Sequence, residues 1–156
     1  MTPAGDSPAA RASDERAALL DAYGRWPDKG PERDGYRLTV LPLPPGGTTP
    51  GSTSVAVGET LRVAHVVESV HPDARLHVMG PKPVLGELVD GVPVTDPAPD
   101  GAHPLAPQTY NGRVLPGPGV DTAYDVTEHR FDAPGTHTVR WAPGGLASNV
   151  LTVEVR

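Results

Sequence analysis

Six histidines and no cysteine frame the chemistry open to this sequence. Imidazole is the commonest metal ligand, whereas thiolate catalysis, disulfides and cysteine-ligated zinc or iron–sulfur centres are excluded. The tightest group is His71, Asp73, His77 and Met79, running from a turn into a strand on which His77 and Met79 share one side. Imidazole with a thioether suits copper, and imidazole with a carboxylate suits zinc. The same residues read equally as a His71-Pro72-Asp73 turn followed by a solvated strand, since ligands spaced along one strand close no coordination shell. His65 stands in an otherwise apolar run and is expected in the core or between sheets, with a backbone carbonyl as partner. No resident metal or other cofactor is expected.

Nucleophilic chemistry has less to work with. There is no Gly-x-Ser-x-Gly elbow, and the closest serine, histidine and carboxylate in sequence are Ser69, His71 and Asp73. Ser148 follows Gly144-Gly145 and reads as the turn into the final strand. Asp121 and Asp125 are spaced as a carboxylate pair, but with 19 acidic residues such pairs arise by chance. Catalysis is therefore not expected. Tyr110, Asn111 and Arg113 place an aromatic ring, an amide and a guanidinium around one tight turn, a combination suited to an interaction patch or to a plain hairpin. The Pro-rich stretch 96–107 is either a stiff recognition loop or a long connection. The leading expectation is a non-catalytic binding or accessory module that recognises a protein or glycan through its loops. The alternatives are a surface-histidine protein for copper or zinc, and a small pathway enzyme with a pocket in or beside the fold.

Composition narrows the setting for these residues. A chain of 156 residues fits one domain with an appendage, and Gly (18) and Pro (20) are abundant enough to demand many turns. The net charge of -6 and scattered basic residues argue against nucleic acid as a partner. No apolar run is long enough to span a bilayer. Met1–Ala10 lacks the basic and apolar segments of a secretory signal, so the sequence as given reads as cytoplasmic, and an extracellular location would require a signal outside it.

Residues 1–12 read as a disordered lead and 13–27 as a short helix. Ser13 would cap it, Asp14 and Glu15 would favour its first turn, and Ala17, Leu19, Leu20 and Tyr23 would form its apolar face. Residues 28–35 form a charged linker, and the period changes to two from Tyr36 onward. Tyr36–Pro42 suits an edge strand, Val55–Val67 two strands broken at Gly58, and Ala74–Met79 another strand. Asp90-Gly91 and Asn111-Gly112 each predict a type I′ hairpin. Ala123–Phe131, Thr136–Trp141 and Asn149–Val155 close the chain.

Short strands separated by turns predict an all-β antiparallel sandwich of about seven to nine strands over residues 36–156, with a short N-terminal helix. Three segments resemble the immunoglobulin-like superfamily of bacterial domains. Val55-Ala-Val-Gly-Glu-Thr-Leu-Arg-Val63 is similar to the entry into a second strand, Phe131-Asp-Ala-Pro-Gly-Thr-His-Thr-Val-Arg-Trp141 to the corner into the penultimate strand, and Ser148–Val155 to the last strand. The resemblance covers about the last three-quarters of the chain and implies an architecture without an activity. His137 stands where a tyrosine usually makes the corner, so that hydrogen bond is either lost or made by imidazole.

Overall fold

The computed structural model describes residues 8–43, 52–100, 103–106 and 110–156, with side chains from Glu15 onward. In chain order the elements are α1 (Pro8–Arg25), β1 (Glu32–Arg33), β2 (Tyr36–Leu43), β3 (Ser52–Val55), β4 (Thr60–Ser69), β5 (Leu76–His77), β6 (Glu87–Val89), β7 (Val92–Pro93), β8 (Val114–Leu115), β9 (Gly119–Asp121), β10 (Thr127–Arg130), β11 (Gly135–Trp141) and β12 (Val150–Val155). One five-stranded sheet has the order β1-β2-β4-β10, with β9 also paired to β4. A second has the order β3-β12-β11-β6-β7. Pairing is antiparallel except between β3 and β12, and β5 with β8 forms a separate ribbon. The predominantly β architecture is consistent with a β-sandwich.

The long central strand β4 shows why two sheets form. Leu61, Val63, His65 and Val67 lie on one side and face the second sheet, where Val139, Trp141, Leu151 and Val153 are buried. Ala64 and Val66, on the opposite side, are also buried, as are Thr39 and Leu41 of β2. What covers that outer side is α1. Leu19, Tyr23 and Trp26 join the core, and the Tyr23 hydroxyl donates to Glu68 of β4. Their spacing of four and three residues is that of a helix face. The expected face is thereby corrected, because Ala17 and Leu20 point to solvent.

Other expectations also shift. The helix begins at Pro8 and not at Ser13, so residues 8–12 are helical and Ser13 is interior to the helix. Proline is favourable at a helix start, where its missing N–H leaves no bond unmade. Residues 1–7 of the expected lead lie outside the described residues, as do Pro44–Gly51. The charged linker contains a hairpin: Glu32–Arg33 pairs with Tyr36–Arg37 around Asp34 (φ 54°) and Gly35 (φ 84°). Both central residues have the positive φ of a type I′ turn. Beyond its two-residue pairing with β1, β2 is the edge strand expected, with α1 over one face and the second sheet against the other. Beyond β1 its free edge is closed by Asn149, whose side chain accepts from Val40 N at 2.8 Å and donates to Val40 O at 3.1 Å. At Val40 that amide stands in for a neighbouring strand.

The Asp90-Gly91 hairpin forms as the dipeptide predicts, with Val89 opposite Val92. The Asn111-Gly112 hairpin does not. Neither residue has positive φ, and β8 pairs with β5 instead. Tyr110 folds its ring over Gly112, and its hydroxyl accepts from Met79 N and donates to Arg113 O, both at 2.9 Å. The expected strand Ala123–Phe131 shortens to Thr127–Arg130, because the preceding residues leave the sheet.

Candidate functional site

That departure borders a concave groove. Along its far edge, β4 pairs with β10 through Thr60–Val63 and with β9 through Val67–Ser69. Between those stretches, Ala64–Val66 face a segment of five residues, 122–126, too long to stay in register and bowed outward. The bow is fixed by a new set of backbone bonds: Lys82 N donates to Ala123 O at 3.0 Å and Asp125 N to Lys82 O at 2.9 Å. Lys82 is buried and its ammonium binds Asp121 at 2.9 Å, donates to the His77 carbonyl, and lies 4.2 Å from the Tyr124 ring centre. Burial pushes the Lys82 ammonium down from its ordinary value, and the bond to Asp121 pushes it back up. Tyr124 in turn donates to Leu105 O at 2.8 Å, and burial holds its phenol well above the usual range.

The result is a groove of about 640 Å³ between α1, the outer side of β4 and the bow. Arg16 and Leu19 contribute the helix wall, and Leu43, Arg62 and Ala64 the sheet floor. Pro81, Tyr124 and Val126 form the opposite wall. The volume and the mostly apolar lining fall within the range of small-molecule sites.

Directly beneath the floor lies a buried polar cluster. Glu87 of β6 is fully buried and binds one histidine through each carboxylate oxygen. His65 Nε2 of β4 meets Oε2, and His129 Nε2 of β10 meets Oε1 at 2.6 Å. Burial alone would raise this carboxyl, but the hydrogen bonds from His129 and His65, with the His65 charge, hold it at about 2. The buried Thr127 hydroxyl adds a small effect in the same direction, although it lacks a hydrogen bond of full geometry. The other His65 nitrogen, Nδ1, lies 3.1 Å from Asp125 O in the bow. The carbonyl partner expected of His65 is present, and Glu87 is a partner the sequence did not reveal. His65 borders the groove, but its side chain has no exposed surface and both nitrogens are engaged, so it ties the two sheets together.

The residues singled out by spacing are distributed elsewhere. His71 and Asp73 are exposed on one turn, with Asp73 N donating to His71 Nδ1 at 3.1 Å. His77 instead packs on His103 and Tyr110, at ring-centre distances of 4.6 and 5.2 Å, and Met79 is exposed. Among the described residues, no three His, Asp or Glu side chains gather where they could hold one metal ion. Ser69 is buried with its hydroxyl directed at the His71 and Ala74 carbonyls, so Ser69, His71 and Asp73 form no relay. Asp121 is held by Lys82, whereas Asp125 points to solvent. Ser148 is a buried turn residue whose hydroxyl accepts from Trp141 N at 2.8 Å. Asn111 and Arg113 are exposed, and Tyr110 is half-buried. His137 Nε2 donates to Ala133 O at 3.0 Å and Nδ1 to Asp90 at 2.7 Å, so imidazole makes the corner bond. The hydrogen bond to Asp90 raises the His137 ring above its ordinary value.

Nothing in the sequence announced the groove. It depends on a five-against-three mismatch between strands remote in sequence, and on a helix whose apolar face settles on the outer sheet. No protein-family model, curated protein or solved structure matches the chain. No helix among the described residues is long and apolar enough to cross a membrane.

Proposed function

We propose that this chain is a non-catalytic binding module on an immunoglobulin-like β-sandwich, and that it takes a small apolar ligand in the groove beside α1. The groove itself carries the reading: about 640 Å³ of largely apolar, recessed space walled by three separate elements. Two facing sheets, and a histidine that makes the corner bond at the start of the penultimate strand, support the immunoglobulin-like assignment. Support for a non-catalytic role comes from the titratable groups nearest the groove, since His65, Glu87 and Lys82 are all bound to protein partners. A fluorescent apolar probe should bind saturably to the folded protein. Val126→Trp, which fills the groove from an exposed position, should abolish that binding without lowering the melting temperature. Saturable binding that is unchanged in the variant would count against the groove.

A second form of the module reading rests on the loop end. There Asn111 and Arg113 are exposed beside Met79, Val114 and Leu115, which leave apolar surface open to solvent. A protein or glycan partner would contact these residues, together with the rim of Tyr110. Arg113→Ala should then weaken capture on a glycan array or by a purified partner, and equal capture would remove this form.

A further inference from the structure

We propose, building on the groove reading above, that the ligand is a free amphiphile with an apolar chain and one anionic head, a carboxylate being the simplest. The argument concerns the charges at the groove. Arg16, Arg62 and Glu15 line it, so two guanidiniums meet one carboxylate in a chain whose net charge is -6. Arg25 pairs with Asp21 at 2.5 Å, Arg37 with Glu68 at 3.4 Å, and Arg130 bonds the Gly58 carbonyl at 3.0 Å. Arg33, Arg75, Arg113, Arg140 and Arg156 also form no ion pair among the described residues, but they do not line the groove. Arg16 and Arg62 make no ion pair among the described residues. Glu128 stands opposite Arg62 in the strand register, yet the two form no ion pair. Leu19, Leu43, Ala64 and Val126 supply the apolar part of the same groove. An unpaired guanidinium beside an apolar trough matches a carboxylate at the end of a hydrocarbon chain, because its planar donors bind both oxygens.

The free molecule fits better than a bilayer surface. The groove is recessed between a helix and a sheet, and the negative net charge of the chain repels anionic membranes.

The test titrates the full chain with dodecanoate, dodecanol and dodecylammonium below their aggregation limits, and with vesicles containing anionic lipid. Dodecanoate should bind about tenfold or more tightly than dodecanol, the margin of a hydrogen-bonded charge. R62Q should bring dodecanoate to the level of dodecanol while leaving the melting temperature unchanged. R16Q should act in the same direction. Equal binding of dodecanoate and dodecanol, or tighter binding of dodecylammonium, overturns the anionic head but leaves the groove reading intact. Binding to vesicles without binding of monomeric dodecanoate also overturns the proposal. If none of the three amphiphiles binds, the groove reading fails with it.

Discussion

At the scale of single residues, the most consequential is Glu87. A fully buried carboxylate between two histidines is stable only while both oxygens keep their donors, because an unpaired buried charge is costly. Glu87→Gln keeps the shape and removes the charge from beside both rings. It should destabilise the fold by about 3–5 kcal/mol, measured by urea unfolding at neutral pH. The same residue sets an acid limit. Its carboxyl is held below its ordinary 4.5, at about 2, so its contribution is complete above pH 4.5 and drains away as pH falls towards 2. Stability of the native chain should therefore fall through that window more steeply than that of Glu87→Gln. Parallel acid limbs would show that the carboxylate is not the group responsible. His137 is the other informative residue, since its two hydrogen bonds tie the turn before β11 to the Asp90-Gly91 hairpin.

At the scale of elements, α1 decides the most. Its isolated sequence is a modest helix, and its order comes from Leu19, Tyr23 and Trp26 packing on the outer side of β2 and β4. Trp26→Ala should cost about 3–5 kcal/mol. Leu20→Ala, one turn position away but exposed, should change stability by less than about 0.5 kcal/mol. Thermal melts of the two variants separate a packed helix from a loosely tethered one, for which both substitutions would be silent. Gly30 belongs to the same account. A Cβ there would lie 2.0 Å from the Leu38 carbonyl oxygen, so only glycine lets the chain leaving α1 press against β2.

At the scale of the whole molecule, the second sheet is closed by strands from opposite ends of the β region. β12 lies between β3 and β11, pairing in parallel with the first and antiparallel with the second. The register is completed only after the last residues are available, and such non-local pairing places folding in the range of milliseconds to seconds. Removing Val150–Arg156 withdraws Leu151, Val153 and Val155 from the core and unpairs two strands at once. Each of these side chains contributes about 1.5–3 kcal/mol, and a domain of this kind has only about 5–15 kcal/mol in all. The truncated chain should show no cooperative unfolding transition by circular dichroism; a sigmoidal melt would place the stability elsewhere.

How much of this was legible in the sequence follows from which interactions are local. The alternation along β4, β11 and β12, the Asp90-Gly91 turn and the corner at Phe131–Trp141 are set by neighbours a few residues apart, and the sequence by itself determined them. It also determined that His65 would be inside, since a lone imidazole in an apolar strand has nowhere else to go. The partner of His65 was not legible, because Glu87 approaches from the other sheet and alternation says nothing about which facing strand lies opposite. Asn111-Gly112 misled for a related reason. The dipeptide permits a hairpin, but Val114 and Leu115 found a better partner in β5, and Tyr110 closed over Gly112. The groove with Arg16 and Arg62 was decided by tertiary structure alone. It requires α1 to cross the outer sheet and the 122–126 bow to fall opposite three residues of β4, and no local pattern encodes the meeting of those three segments.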